Sequence, residues 1–191
     1  MNIENIADIY SGYAFKKSVE EDSMGNIFLI QAKDINKSPG YINEKELTKI
    51  FSPSTKARFN YIQKGDILLI ARGLKAGNFK ASVFISENTP TIASASVLII
   101  RIKDFNKLLP DFLCLYLNSP IGQTSLASAA TGSYIGSITK NNLIKTLNVP
   151  NESIEKQKQI VQLHQNLLKQ LNLERKKIEI KESIINKLIT N

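Results

Sequence analysis

The sequence predicts a mixed α/β protein of the α+β kind: a globular domain built on a twisted β-sheet with short helices, followed by one long C-terminal coiled-coil helix. Three observations carry this. Up to Pro150, short β-branched apolar runs alternate with Gly, Asn, Ser and Pro punctuation. From Asn151 to Asn191 neither Gly nor Pro occurs, and an apolar stripe recurs there at helical spacing. The 191 residues therefore divide into a domain, 1–150, and a helical arm, 151–191. A composition of 42% hydrophobic and 22% charged residues fits a folded chain rather than a disordered one.

Taken in order, Ile27-Phe28-Leu29-Ile30, Ile67-Leu68-Leu69-Ile70-Ala71, Ser82-Val83-Phe84-Ile85 and Ala95-Ser96-Val97-Leu98-Ile99-Ile100 have the length and β-branched content of buried strands. Lys64-Gly65-Asp66 is a tight turn feeding the second of them, and Arg72-Gly73 closes it. Helices follow from Pro110 to Leu117 and from Pro120 to Ala129, the latter with Ser119 as N-cap and Pro120 in its first turn. A short helix starts at Lys140, capped by Thr139. Between the last two, Thr131-Gly132-Ser133-Tyr134-Ile135-Gly136-Ser137 reads as a loop, because its glycines stop either helix from continuing.

The arm is helical from about Ser153 to Thr190. Ile160, Leu163, Leu167, Leu171, Ile178, Ile185 and Leu188 fall on one stripe at steps of three, four or seven. Glu174 and Lys181 interrupt it, and Val161, Leu168, Ile184 and Ile189 widen it. Gln157, Gln159, Gln162, Gln165 and Gln170 suit a solvated opposite face. Such a stripe is covered either by the chain's own domain or by a partner helix. Persistence to the terminus favours the partner, from a second copy or another subunit.

Lys and Arg number 25 against 17 Asp and Glu, a net charge of +8. That surplus suits nucleic acid or an anionic membrane surface, unless it reflects only a lysine-rich composition. One cysteine, Cys114, excludes an internal disulfide, and its apolar run from Phe112 to Leu117 predicts a buried thiol. A single histidine, His164, removes His-paired metal sites and most Ser-His-Asp arrangements. No window approaches a membrane span and no leader is visible, so a cytoplasmic protein is expected. Neither a phosphate loop nor a base-methylation motif occurs; Gly73-Leu74-Lys75-Ala76-Gly77 has the wrong spacing for a dinucleotide fingerprint. Pro110-Asp111 with Glu179-Ile180-Lys181 is a chance nuclease-like match. A non-catalytic protein, without metal or cofactor, is expected.

The basic residues have more to say. Arg72 and Lys75 follow a strand, Lys80 precedes the next, and Lys16 and Lys17 adjoin Tyr13 and Phe15. With Lys33, Ser133, Tyr134, Ser137 and Lys140 they form the candidate DNA-contacting set, supplying phosphate and base-edge contacts. Arg72 is the candidate for direct base reading, since its planar fork matches guanine O6 and N7.

The segments Ser11-Gly12-Tyr13-Ala14-Phe15-Lys16, Leu29-Ile30-Gln31-Ala32-Lys33-Asp34-Ile35 and Lys64-Gly65-Asp66-Ile67-Leu68-Leu69-Ile70-Ala71-Arg72-Gly73 are followed by Ala93-Ser94-Ala95-Ser96-Val97-Leu98-Ile99-Ile100-Arg101. Tyr116-Leu117-Asn118-Ser119, Ala130-Thr131-Gly132-Ser133, Leu147-Asn148-Val149-Pro150 and Glu155-Lys156-Gln157-Lys158-Gln159-Ile160-Val161 complete the series. In this order the chain resembles the target-recognition domain of type I restriction-modification specificity subunits, in a half-length form. The resemblance implies a domain that reads one half of a bipartite DNA target and an arm that spaces and docks. Its implied partners are double-stranded DNA, an adenine methyltransferase (modification) subunit that carries S-adenosylmethionine, and a restriction/translocase subunit. Family chains usually hold two recognition domains and two arms. Two copies of this chain, paired antiparallel through the stripe about a two-fold axis, would recreate that layout and read a palindromic bipartite target. The alternative is a non-catalytic scaffold module with non-specific DNA affinity.

Overall fold

The computed structural model describes all residues except 17, 38–39, 53–59, 75–78, 88, 133–134 and 190–191. Lys17, Lys75, Ser133 and Tyr134 of the candidate set, and the expected helix end at Thr190, lie outside the described residues. In chain order the elements are α1 (Ile3–Ile6), β1 (Ala7–Ser11), β2 (Ile27–Ile30), α2 (Ala32–Lys37), β3 (Gly40–Ile42), a 3-10 turn (Glu44–Glu46) and β4 (Thr48–Ile50). Then come β5 (Ile67–Ile70), β6 (Arg72–Leu74), β7 (Ala81–Phe84), β8 (Thr91–Ala93) and β9 (Val97–Ile102). The second half holds α3 (Pro110–Asn118), α4 (Pro120–Ala129), β10 (Ile135–Ser137), α5 (Lys140–Thr146) and α6 (Ile154–Ile189). The mixed α/β class and the long terminal helix are as expected.

The single sheet of the sequence reading is three sheets. The central one has five strands in the order β1-β9-β5-β7-β3, antiparallel except for the β3–β7 pair. A three-stranded sheet, β4-β2-β8, and a two-stranded ribbon, β10-β6, flank it. The four apolar runs are all strands, with shifted ends: Ala95 and Ser96 sit in a turn, while Arg101 and Ile102 extend the last strand. Ala71 and Ile85 fall just outside theirs.

Continuous apolar runs are explained by burial on both faces of the central sheet. Ile67, Leu69, Val83 and Ile100 face α3, α4 and α5, packing with Leu113, Leu117, Leu126 and Leu143. Their neighbours Leu68, Ile70, Phe84 and Ile99 face the other way, onto Ile30, Ile35, Ile42 and Ile62. A strand with one wet face would alternate; here both sides exclude water, and each fully buried Ile or Leu contributes about 1.5–3 kcal/mol. The turn into β5 needs its glycine, since Gly65 has φ +88. Asp66, at its end, accepts the Gln63 N–H at 2.8 Å and both arms of Arg101, Nε at 2.8 Å and Nη2 at 2.7 Å. Asp66 is therefore more than a turn residue: it is a buried carboxylate that ties β5 to β9.

Helix caps fall where the sequence placed them. Ser119 Oγ accepts the Gly122 N–H and Thr139 Oγ1 accepts the Asn142 N–H, both at 3.2 Å; a cap of this kind is worth about 1 kcal/mol. The segment read as a loop after α4 contains β10. It pairs antiparallel with β6, placing Ile135, Gly136 and Ser137 opposite Leu74, Gly73 and Arg72.

Gln157 corrects the expectation of a uniformly solvated glutamine face. It is fully buried at the base of α6. Its Oε1 accepts the Leu109 N–H, and its Nε2 donates to the carbonyls of Lys107 and Glu152, all at 2.9 Å. Higher up, Gln165 Nε2 donates to the Tyr41 hydroxyl at 3.1 Å, and that hydroxyl donates to Asp111 Oδ1 at 2.5 Å. Burial and the Asp111 carboxylate push the Tyr41 hydroxyl up to about 12, so it stays protonated and keeps donating. The first turns of α6 thus pack on α3, with Val161 against the core. Beyond them the helix leaves the domain, and Leu163, Leu167, Leu171, Ile178, Ile185 and Leu188 are exposed. The fold-back alternative describes the base of the arm, where Gln157 and Val161 pack on the domain, while Ile160 is exposed beside a groove lined by Phe112, Leu115 and Tyr116.

Candidate nucleic-acid interface

The structure gathers part of the basic set at the β6–β10 ribbon. Arg72 is exposed and stands opposite Ser137. Ile138 N–H donates to the Ala71 carbonyl at 2.8 Å, which brings the start of α5, and with it the exposed Lys140, to the end of β5. Arg72 and Ser137, far apart in sequence, become partners on one ribbon, and Lys140 opens the helix that follows it. Gly136 suits this close approach: a Cβ there would meet Phe79 Cζ and Ala130 Cβ at 3.1 Å, tighter than ordinary contact.

Two residues that sequence reasoning missed support this edge from below. Asn118 Oδ1 accepts the Ala81 N–H at 3.0 Å and its Nδ2 donates to the Ala81 carbonyl at 2.9 Å, pairing with the strand as another strand would. Gln123 does the same at Phe79, accepting its N–H at 3.2 Å and donating to its carbonyl at 2.9 Å. Amides on helices carry no signal of such pairing by themselves.

The rest of the set is placed elsewhere. Lys16 lines a cleft with Tyr13, Phe15, Glu20, Glu21 and Asp22, where the Tyr13 and Phe15 rings meet edge-on at 5.0 Å. Lys33 is paired with Glu21 at 3.3 Å, so this cluster is electrically mixed. The same lysine, with a Thr48 hydrogen bond as the larger cause, holds the Glu21 carboxyl below its usual range. Lys80 lines a cavity of about 330 Å³ beside α6, together with Tyr41, Asp111, Cys114 and His164. Among the described residues, no ion pair engages Lys16, Arg72, Lys80 or Lys140, whereas Lys33, Lys64, Lys103, Lys107, Lys156 and Arg101 are each paired. Unpaired cations keep their charge available to a polyanion.

Burial pushes the Cys114 thiol up to about 12, which leaves it protonated and unreactive. Among the described residues there is no cluster of three or more metal-ligating side chains. No described helix is long and apolar enough to cross a membrane.

No curated protein matches the chain. A chain from a structure of complex assembly and conformational transition in the type I R-M system aligns over 98% of this chain and 42% of its own length, with 17% identity and a TM-score of 0.69. The HsdS subunit from Thermoanaerobacter tengcongensis aligns over 91% and 38%, at 18% identity and a TM-score of 0.63. The type I restriction-modification S subunit from M. genitalium aligns over 90% and 39%, at 18% identity and a TM-score of 0.55. These likenesses establish the fold, and the chain spans less than half the length of each solved relative. The family model described as the type I restriction modification DNA specificity domain matches residues 1–182. By that match over nearly its whole length, the chain belongs to the type I restriction-modification DNA specificity domain family.

Proposed function

We propose that residues 1–150 read one half of a bipartite double-stranded DNA target and that residues 151–191 form the arm through which two copies pair. The observation that carries the reading half is the β6–β10 ribbon, which sets the exposed Arg72 across from Ser137, with no ion pair engaging the arginine among the described residues. A guanidinium there can fork onto guanine in the major groove, while Lys140 neutralises phosphate. The observation that supports pairing is the exposed row from Leu163 to Leu188 on a helix of 36 residues. Water does not tolerate an apolar face of that length. Two identical domains related by a two-fold read inverted half-sites, so the target is palindromic with an unread spacer.

In this account the chain is a non-catalytic subunit acting in the cytoplasm. Methyl transfer belongs to an adenine methyltransferase (modification) subunit, and cleavage to a restriction/translocase subunit. Sequence preference at fixed salt is the test, since phosphate contacts alone also give salt-dependent binding. A specific reader favours its site by about 10³-fold or more. Equal affinity for all duplexes supports the scaffold reading instead.

A further inference from the structure

The β6–β10 ribbon has two unlike faces. Residues opposite each other in an antiparallel pair share a face, and neighbours along a strand take opposite faces. Gly136, opposite Gly73, is buried, and a Cβ there would point at Phe79 Cζ and Ala130 Cβ, so this pair faces the core. Arg72, Ser137 and Ile135 therefore share the outer face. Thr131 joins them through a turn in which Gly132 takes φ +112. Its N–H donates to the Ser137 carbonyl at 3.0 Å, and the Ser137 N–H donates to its carbonyl at 2.8 Å. The outer face thus carries a guanidinium and two hydroxyls in one row, with a single isoleucine two residues along.

Ile135 is 61% exposed and packs in no core cluster among the described residues. An isolated exposed isoleucine needs no explanation by itself. Here it shares a face with Arg72, which no ion pair engages among the described residues. A partner that suits this face offers an acceptor pair for the guanidinium and an apolar group close by. The major groove of DNA offers both: guanine presents O6 and N7, and thymine presents its C5-methyl. That groove, about 12 Å wide, also admits a two-stranded ribbon. At about 3.4 Å per residue, Ile135 lies about 6.8 Å along the strand from Ser137 and the Arg72 opposite it, which is two base-pair steps for a ribbon running along the groove.

We infer that Ile135 reads the C5-methyl of a thymine about two base pairs from the guanine held by Arg72. The inference rests on the DNA-reading role proposed for the ribbon above, and adds to it a second base of stated kind and spacing. Contact with the methyl removes apolar surface of both groups from water. Over cytosine the methyl is missing, and the exocyclic amine would lose water to a side chain that accepts no hydrogen bond, so a cytosine is disfavoured there. The Ser137 and Thr131 hydroxyls both donate and accept, so they add contact with little choice of base.

The test uses the full chain and the half-site it selects from random duplexes. Replacing one thymine at a time by deoxyuridine removes the methyl and leaves base pairing intact. At one thymine, about two base pairs from the guanine whose preference Arg72→Ala relaxes, the replacement should weaken binding about fourfold at fixed salt, the effect of losing one buried methyl. Ile135→Ala, at a position too exposed to unsettle the fold, should melt like the parent and abolish that fourfold loss, while the guanine preference persists. A parent protein without sequence preference, or with a preference that Arg72→Ala leaves untouched, overturns the ribbon as a reader and this assignment with it. A preference relaxed by Arg72→Ala in a half-site that lacks this thymine or is indifferent to deoxyuridine overturns the assignment of Ile135 alone. A deoxyuridine loss that persists undiminished in Ile135→Ala does the same.

Discussion

Replacing Gln157 with alanine is the sharpest test of how the arm is fixed to the domain. The side chain is fully buried and makes three hydrogen bonds of 2.9 Å, with the Leu109 N–H and the Lys107 and Glu152 carbonyls. Alanine leaves one donor and two acceptors without partners at the foot of α6. Each unpaired buried polar group costs about 1–3 kcal/mol, and water entering the vacated space recovers part of that, so the net loss is about 2–4 kcal/mol. For a chain of this size that corresponds to a fall in Tm of roughly 5–15 °C. Thermal and urea unfolding followed by circular dichroism measure it, with Gln159→Ala as the control. Gln159 is exposed two residues away and should change stability by no more than about 0.5 kcal/mol. Indistinguishable unfolding of the two variants would refute the anchoring role of Gln157.

The other predictions concern reading, pairing and the buried thiol. Arg72→Ala should relax sequence preference by about 1–3 kcal/mol at one base pair, and Ser137→Ala by less, both with unchanged melting; unchanged preference in a binding selection would show the ribbon does not read bases. Leu171→Asp and Ile178→Asp, at exposed stripe positions, should shift the protein to monomer in sedimentation without unfolding it, because a carboxylate in the seam has no partner. Cys114 keeps its proton to about 12 in the folded chain against an ordinary value of 9.0. Above pH 9 the unfolded state therefore loses that proton first and is favoured, so stability falls between pH 9 and 12. Cys114→Ala should show a shallower decline, and the wild-type thiol should resist alkylation at pH 8 until the protein is unfolded.

What the sequence made legible follows from range. Buried strands such as Ile67–Ile70 announce themselves because each residue is apolar, and the caps at Ser119 and Thr139 because capping is a matter of three residues. Strand β1 was missed, since Ala7-Asp8-Ile9-Tyr10-Ser11 has only one strong β-branched residue and depends on pairing with β9. The ribbon was missed because Arg72-Gly73-Leu74 and Ile135-Gly136-Ser137 are too short for local propensity to speak, and their pairing spans more than sixty residues of chain. Gln157 was misjudged for the same reason: a polar side chain is buried only when backbone partners converge on it, here from residues 107, 109 and 152. Of the candidate site, Arg72 and Ser137 come together with Lys140 at the start of the helix that follows; Lys16 lines a cleft with Glu21, which Lys33 pairs, and Lys80 lines the cavity by the arm. Charge was readable from composition, but its grouping is a property of the fold.

The central claim is that this chain reads DNA sequence through the β6–β10 edge as a symmetric pair. Selection of the purified protein against random duplexes at a fixed salt concentration near 0.15 M tests it most directly. The account predicts enrichment of an inverted repeat with an unread spacer, bound about 10³-fold or more above random DNA. Uniform affinity across duplexes, or enrichment of a single undivided site, would contradict it.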